Sequence, residues 1–311
     1  MNTFFLDRLN SEPHALAFAG QSTPWPVALA DQSANPALDE ALHTHAAAAQ
    51  ALLYPVSAEL LATTGRPVDL FGFEPNPARL GAAAAASASV PGIALTQLGA
   101  LLDAAALGYN PAQAKPVAVL GHSQGVLAVH MVQAICEAGS IDAAAAKIDE
   151  ILAIATLIGV AGTRQARQLG LAARHGEATP MLSVKDITRA QVDALIERVD
   201  GARGPIAVAV TNSATHYVLS GYPEDLAAFG VEVAKEHKRQ AQLREEKVRG
   251  GRVFDPTLEY LDVTLPFHSP LMASPRPSHG PRPAASTPTM PVSSPPKCCS
   301  TMWIGPPACA P

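Results

Sequence analysis

Residues 121–125, with the sequence GHSQG, hold the strongest chemical signal in this chain of 311 residues. They directly follow an apolar run, Pro116–Leu120, that predicts a buried strand, and they precede a helical pattern. A serine between two glycines in this context predicts a nucleophile elbow, a sharp turn that exposes the Ser123 hydroxyl. Gly121 and Gly125 are needed there because the backbone passes close to itself. The helix N-terminus favours the negative charge that develops during acyl transfer.

A nucleophilic serine needs a base, and the candidate is His268. It follows the apolar run Leu261–Phe267, which predicts a strand, so His268 would stand at the same sheet edge as the elbow. The alternative is a capping or partly buried histidine. By contrast, His43, His45 and His237 lie on polar helical stretches and are predicted to be solvated.

The run His14–Gly20 predicts another buried strand, and Gln21 directly follows it. The backbone N–H of Gln21 and that of Gln124 could together form an oxyanion hole, the pair of donors that stabilises a tetrahedral intermediate. The alternative is that Gly20 and Gln21 form an ordinary loop.

The other patterns predict the elements that position these residues. In the first half we expect helices from Asn35-Pro36 to about Tyr54 and over Ile93–Leu107, Gly125–Glu137 and Ile141–Gln168. In the second half we expect a strand over Pro180–Val184 and then a helix that begins with a Thr188/Gln191 capping box and ends at Val199. Two strands should follow, Ile206–Val210 and Tyr217–Ser220, joined by a turn at Asn212-Ser213. The last element is a helix over Pro223–Glu246. This strand-helix-strand-strand-helix order is typical of a ferredoxin-like module.

The composition excludes two broad classes. The chain is 48% hydrophobic and 16% charged, with net charge −5 and mean hydropathy +0.13. A wholly disordered chain would be more polar, and a nucleic-acid binder would carry a basic surplus. We expect no membrane segment either, because the longest apolar run, Ile151–Gly162, is too short to span a bilayer. The start, MNTFFLDRLN, lacks the pattern of a signal peptide.

Proline and cysteine are concentrated at the C-terminus. Of the 28 prolines, 11 lie in the last 39 residues, 273–311, and Cys136 is the one cysteine before them. A single cysteine cannot build a disulfide framework, so we expect a cytoplasmic protein. The tail cysteines Cys298, Cys299 and Cys309 lack zinc-site spacing, so we expect no metal.

The chain resembles the acyl-CoA:acyl-carrier-protein transacylases, and more closely the starter acetyltransferase domain of the type I fatty acid synthases of microbes. The matching stretches, in family order, are Ala17–Gln21, Gly121–Val126, Thr211–Ser213 with Leu219–Gly221, Lys247–Phe254 and Phe267–Pro270. GHSQG followed by FHSP is much more specific than the serine motif alone. One departure is Ser22, where many relatives have glycine.

The resemblance implies a Ser–His dyad in which Ser123 attacks an acyl-CoA thioester and His268 is the general base. It implies that Gln21 and Gln124 hold the oxyanion and that a phosphopantetheine thiol of acyl carrier protein takes the acyl group. The implied partners are the carrier protein domain and other fatty acid synthase domains, with no bound cofactor.

The same resemblance narrows the substrate. Malonyl-specific relatives carry an arginine that pairs with the malonate carboxylate, and here Ile158 stands at that place. An apolar residue would leave a carboxylate unpaired in a dry site. We therefore expect an uncharged short acyl group, acetyl first, and expect Arg164 and Arg167 to face elsewhere.

The predicted fold class is α/β, an acyltransferase fold with a large α/β-hydrolase-like subdomain and an inserted ferredoxin-like one. The large subdomain is expected to comprise residues 1–176 and 250–272 and to be incomplete at its C-terminus. The small subdomain is expected to comprise residues 177–249. Residues 273–311 predict a disordered tail rich in proline and serine, a composition expected from an out-of-frame reading or a wrong gene end. The alternatives are an α/β-hydrolase-type esterase or thioesterase, with Asp255 or Asp262 as the acid, and an inactive truncated fragment.

Overall fold

The computed structural model describes residues 8–21, 24–64, 69–72, 86–171, 178–245, 254–273 and 303–304. The chain forms two compact units. The first runs to Thr179 and includes Leu261–Leu265, while the second holds Pro180–Tyr260 and continues from Pro266. Both units combine helices with strands, and the first contains a parallel strand pair, so the chain has mixed α/β content.

The first unit is mostly helical. Its helices are α1 (Trp25–Ser33), α2 (Pro36–Leu52), α3 (Ser57–Thr64), α4 (Ala86–Ala106), α5 (Pro111–Ala114), α6 (Val126–Ala138) and α7 (Ile141–Gln168). The predicted helix starts at Pro36, Gly125 and Ile141 are confirmed to within one residue, whereas the helix predicted from Ile93 begins at Ala86. The Asn35 side chain caps α2 by accepting from the backbone N–H of Ala37 at 3.2 Å. The Ser140 hydroxyl caps α7 in the same way.

Helix α4 is the centre of the first unit. It packs against α7, α1 and α2, and 14 of its 21 residues are buried. Gly92 permits a close approach, because a Cβ there would lie 2.5 Å from the Trp25 ring. Within the described residues, α4 alone is long and apolar enough to cross a membrane, and 72% of its most apolar stretch is buried, as in a core helix.

The first two strands of the chain pair in parallel. β1 (Ala15–Phe18) lies beside β2 (Ala118–Gly121), with Phe18 opposite Gly121. β1 was predicted to be buried, and this is wrong: its residues alternate between exposed and half-buried. The reason is that β1 is an edge strand of its sheet, so one side of it has no strand neighbour.

The second unit is an antiparallel sheet with two helices. Its elements are β3 (Met181–Lys185), α8 (Arg189–Ile196), β4 (Ala207–Ser213), β5 (His216–Ser220), α9 (Pro223–Glu245) and β6 (Thr257–Tyr260). The strand order is β4-β5-β3-β6. Leu219 and Phe229 are fully buried in its core. The predicted capping box of Thr188 and Gln191 is present at the start of α8.

Two predictions about strands in this half are wrong. Asn212-Ser213 does not form the turn but ends β4, and the chain reverses at Ala214-Thr215, where the Tyr217 hydroxyl donates to the Ala214 carbonyl at 2.7 Å. The predicted strand Leu261–Phe267 is absent, since the strand before it, β6, ends at Tyr260 and the following residues are not in a strand.

The apolar pattern of Leu261–Phe267 reflects burial without strand pairing. Val263 and Leu265 are 2% and 0% exposed, yet the Val263 N–H donates to the Leu261 carbonyl at 2.7 Å, which closes a three-residue turn. Pro266 then has no N–H to offer a sheet. Because β6 pairs with β3, the second unit extends past the predicted boundary at residue 249.

Little of the tail is described. β7 (Trp303–Ile304) pairs antiparallel with β2. Ser22, the stretch 247–253 and the tail cysteines lie outside the described residues, as do residues 81–85. The expectation of a disordered tail therefore stays a prediction.

Candidate functional site

Ser123 stands on a strand-turn-helix elbow, as predicted. β2 ends at Gly121, one 3-10 turn covers Ser123–Gly125, and α6 begins at Val126. The Ser123 φ is +51°, a left-handed conformation that non-glycine residues rarely adopt. The His122 N–H donates to the Phe18 carbonyl of β1 at 2.9 Å. The sheet thus holds the turn that presents the serine.

The two elbow glycines are required by close backbone contacts. A Cβ on Gly121 would lie 2.5 Å from the Val126 nitrogen, on the first residue of α6. A Cβ on Gly125 would collide with the Phe18 carbonyl oxygen. Because both obstacles are backbone atoms, no side-chain movement could relieve them.

Gly20 brings the next candidate, Gln21, to the elbow. A Cβ on Gly20 would lie 2.7 Å from the His122 carbonyl oxygen and 3.1 Å from the Ser123 Cβ. The same point is 3.4 Å from the Gln124 backbone nitrogen. The structure thus brings the loop of Gln21 close to Ser123 and Gln124, and the oxyanion hole formed by the two backbone N–H groups stays a prediction.

Two residues of α4 join this group, and the sequence analysis missed both. The Ser89 hydroxyl donates to Gln21 Oε1 at 3.1 Å, and Gln21 Nε2 donates to Gln124 Oε1. Gln124 Nε2 donates to the Val90 carbonyl at 2.5 Å. We call these four groups the amide chain. The available signal was a serine directly before Val90-Pro91 inside an apolar helix, where proline breaks the regular hydrogen bonding.

His268 lies in the second unit. It occupies a turn rather than the end of a strand, so its predicted setting is wrong; it is exposed, with φ +56°. The following Ser269 caps a 3-10 turn, Pro270–Met272, by accepting from the Leu271 N–H at 3.2 Å. Since Ser123 belongs to the first unit, the pairing of Ser123 with His268 stays a prediction.

The turn after His268 rests on a loop of its own unit. One methyl group of Leu271 lies 3.5 Å from the point that a Cβ on Gly204 would occupy, and the Tyr222 ring lies 2.8 Å from that point. Beneath it, the Asp225 carboxylate accepts from the backbone N–H groups of Arg203 and Gly204 at 2.9 and 3.0 Å. Asp225 is 5% exposed, so its two hydrogen bonds hold this loop from inside.

Several other histidines are occupied by structural contacts. The partners are Tyr109 for His14, Asp149 for His45, Ser183 for His216 and Asp255 for His237. The prediction that His45 is solvated is wrong, because its side chain is 12% exposed and lies 2.6 Å from Asp149. Burial, and then Lys185, lowers the pKa of His216. No three His, Cys, Asp or Glu side chains among the described residues are grouped to hold a metal.

Ile158 lies on an exposed face of α7. It is 44% exposed, next to Leu157 at 41%, whereas Gly159 faces α4 closely enough that a Cβ would meet Ser87. The argument against a carboxylate substrate assumed a dry site around Ile158, and this exposure weakens it. A separate cavity of about 300 Å³, walled by residues such as Phe71, Leu95 and Leu152, contains none of the predicted site residues.

Sequence comparison points to the fatty acid synthases. Residues 180–260 match the family model of the fatty acid synthase central AT domain. The fatty acid synthase subunit beta of Schizosaccharomyces pombe is 27% identical over 206 residues, which are 60% of this chain and 10% of that protein. The fatty acid synthase beta subunit hexB of Dothistroma septosporum is 27% identical over 164 residues, 49% of this chain and 8% of that protein. The chain thus spans about a tenth of the length of these relatives.

Solved structures with a similar course of the chain include two bacterial proteins. The malonyl CoA-acyl carrier protein transacylase of Coxiella burnetii is 19% identical with a TM-score of 0.48, covering 84% of this chain and 65% of that one. The acyl carrier protein S-malonyltransferase of Vibrio cholerae is 19% identical with a TM-score of 0.48, covering 84% and 67%. Residues 180–260 are therefore similar to the central AT domain of fatty acid synthases, and 49–60% of the chain aligns with fatty acid synthase beta subunits.

Proposed function

We propose that the chain is an acyltransferase that moves an acetyl, or another short uncharged acyl group, from CoA to the phosphopantetheine thiol of an acyl carrier protein. The observation that carries this proposal is the elbow. Ser123 is held at φ +51° at a helix N-terminus, with Gln21 and Gln124 beside it. A half-buried serine hydroxyl at a helix N-terminus, with Gln21 and Gln124 beside it, suits acyl transfer.

In the first half-reaction, the Ser123 oxygen attacks the thioester carbonyl and its proton passes to His268. The carbonyl oxygen becomes an oxyanion, which accepts from the backbone N–H groups of Gln21 and Gln124. When the intermediate collapses, the C–S bond breaks and CoA leaves with the proton from His268. The product is an acyl ester on Ser123.

The second half-reaction reverses these roles. The phosphopantetheine thiol gives its proton to His268, and its sulfur attacks the ester carbonyl in the same oxyanion hole. The C–O bond of the ester breaks, and Ser123 takes the proton back. No bound cofactor is needed, because CoA and the carrier protein are both substrates.

The subdomain assignment supports this proposal. The second unit has the strand order β4-β5-β3-β6 with helices after its first and third strands in the chain, the ferredoxin-like arrangement. We assign it as the small subdomain of an acyltransferase fold, and the first unit as the large α/β-hydrolase-like one. The proposed partners are the carrier protein and the other fatty acid synthase domains, in the cytoplasm, without nucleic acid or membrane.

The preference for acetyl rests on the charges of α7. Ile158 offers a carboxylate no partner, and Arg164 is paired with Glu59. At Ile158 a malonyl carboxylate would therefore have water in place of the bidentate arginine found in malonyl-specific relatives. The alternative of an α/β-hydrolase has less support. Its candidate acid, Asp255, lies 3.3 Å from His237 rather than at His268, and the Asp255 side chain is 75% exposed.

The test is acylation of the full chain by acetyl-CoA, followed by intact-mass analysis. We expect one acetyl group per chain, absent in Ser123→Ala and strongly reduced in His268→Ala. Adding a holo carrier protein should then transfer the acetyl group to its thiol. Release as free acetate with no transfer would support the hydrolase instead. No acylation together with no cooperative thermal transition would support an inactive fragment.

A further inference from the structure

The mechanism above uses the backbone of Gln21 and Gln124 but not their side chains. Those side chains are not free: the amide chain runs from the Ser89 hydroxyl through both amides to the Val90 carbonyl. It begins and ends on neighbouring residues of α4, and Ser89 is only 3% exposed. The two residues that would hold the oxyanion are thus tied to each other and to one helix.

The direction of every hydrogen bond in the amide chain follows from its end. The Val90 carbonyl can only accept, so Gln124 must turn its NH₂ group toward it and its oxygen toward Gln21. Gln21 must then donate to that oxygen, which leaves its own oxygen facing Ser89. The Ser89 hydroxyl is therefore the donor that completes the chain, a role that alanine cannot fill.

We propose that Ser89 is a positioning residue for the oxyanion hole. Its hydroxyl holds the Gln21 amide, which holds the Gln124 amide, and the backbone N–H groups of both residues are thereby kept in place. This inference rests on the proposed function, because it assigns a role to a group behind the reacting atoms. Donors that are fixed before the reaction lower the barrier because they do not need to reorganise when charge develops.

A second contact shows that the loop before Gln21 is held from the same helix. Gln97 Nε2 donates to the Ala19 carbonyl at 2.7 Å, two turns along α4 from Ser89. Gly20, between these anchors, lies against the elbow without room for a Cβ. The backbone of Gln21 is therefore fixed on one side by Gln97 and Gly20, and its side chain is fixed by Ser89.

The test compares Ser89→Ala with a matched control, Ser87→Ala. Both serines are buried on α4, at 3% and 8% exposure, but the Ser87 hydroxyl is hydrogen-bonded to neither glutamine. We expect Ser89→Ala to slow the acetylation of Ser123 by about tenfold, with the KM for acetyl-CoA changed by less than about twofold. The Ser87→Ala variant should stay within about twofold of the wild type in both quantities.

Two further variants separate positioning from folding. Ser89→Thr keeps a hydroxyl donor and should recover most of the rate. Gln21→Met keeps the backbone N–H but removes the amide, so it should slow acetylation, and adding Ser89→Ala to it should have little further effect. Equal rates for Ser89→Ala and Ser87→Ala, or additive losses in the double variant, would overturn the proposal.

A readout that needs no activity keeps the two proposals distinguishable. Hydrogen exchange at the backbone amides of Gln21 and Gln124, followed by NMR, should become faster in Ser89→Ala and not in Ser87→Ala. If the wild type takes no acetyl group, the proposed function fails while this measurement still tests the amide chain. Unchanged exchange in Ser89→Ala would refute the positioning role by itself.

Discussion

The nucleophile and its proposed base stand on backbones of the same kind but are supported in different ways. Ser123 and His268 both have left-handed φ values, +51° and +56°. The turn of Ser123 is held by backbone contacts of its neighbours with the Phe18 carbonyl of β1 and the first residue of α6. At His268 the support is a capped turn and the contact of Leu271 with the loop of Gly204.

The difference shows which half of the proposed site is set by local sequence. A left-handed serine between a strand and a helix is fixed by glycines within two residues of it. The turn of His268 depends on Asp225, which lies far away in the chain and holds the Gly204 loop through two backbone hydrogen bonds. We therefore expect that added side-chain atoms disrupt the elbow by steric collision, and that loss of hydrogen bonds disrupts the turn of His268.

The largest effect should come from Gly125→Ala. Its methyl group would collide with the Phe18 carbonyl, so the elbow and β1 must separate. We expect the first unit to lose about 3 kcal/mol of stability in urea denaturation, and Ser123 to lose its labelling by a fluorophosphonate.

The matched control is Gly230→Ala in α9 of the second unit. A Cβ there would meet the Leu258 methyl group at 3.6 Å, an ordinary contact. Alanine also favours a helix, so stability should stay constant or rise by up to about 1 kcal/mol. Wild-type labelling of Gly125→Ala would show that contact with β1 does not hold the elbow.

A smaller loss should follow Asp225→Asn. Asparagine offers one acceptor and one donor group, so either the Arg203 or the Gly204 N–H loses its partner in a buried place. We expect the free energy of unfolding of the second unit to fall by about 2 kcal/mol in urea denaturation.

The control for that variant is Asp193→Asn. Its side chain is 49% exposed and forms an ion pair with Arg189 within α8, so the same chemical change should cost less than about 0.5 kcal/mol. Equal losses in the two variants would show that Asp225 has no special role beneath the turn of His268.

Acid should weaken the second unit through Glu236. Hydrogen bonding from Arg239, helped by Gln240 and Arg198, outweighs burial and lowers the pKa of Glu236 from 4.5 to about 2. A lowered folded-state pKa means that the stabilisation is complete above the unfolded value and is lost as the pH falls through the folded one.

Glu236→Gln should therefore be less stable than the wild type by about 1.5 kcal/mol near neutral pH. The difference should shrink between about pH 4.5 and pH 2, because the wild-type carboxylate becomes protonated there. Thermal denaturation at several pH values measures it. A difference that stays constant over that range would show that the charge of Glu236 contributes nothing.

The smallest effect should come from Ile158→Arg. The new guanidinium offers a malonyl carboxylate a partner, but at an exposed position water screens the pair. We expect the ratio of malonyl to acetyl loading on Ser123 to rise by only about threefold to tenfold. A ratio that does not change would show that Ile158 does not face the acyl group.

Much of the local structure could be predicted from the sequence. The cap at Asn35, the capping box of Thr188 and the elbow at Ser123 follow from residue types at fixed spacing. Each of these motifs closes its hydrogen bonds within a few residues, so distant contacts are not needed to define it.

Predictions that depended on distant partners were less successful. The apolar run Leu261–Phe267 has the pattern of a strand, but its buried residues pack without forming a ladder. His45 lies on a polar helical stretch, yet it is nearly buried against Asp149 on another helix. The hydrophobic pattern was informative about burial for the run Leu261–Phe267 but not for His45, whose partner comes from elsewhere in the chain.

The sequence by itself determined that Ser123 is an elbow serine, because the glycines that allow that turn are its neighbours. Only the tertiary structure decided that Gln21 meets both Ser89 and Gln124 and that Gln124 meets Val90, since those contacts join residues separated by 34 to 103 positions in the chain. The same is true of the loop beneath His268. Local sterics can be read along the chain, whereas packed polar contacts exist only once the units have folded.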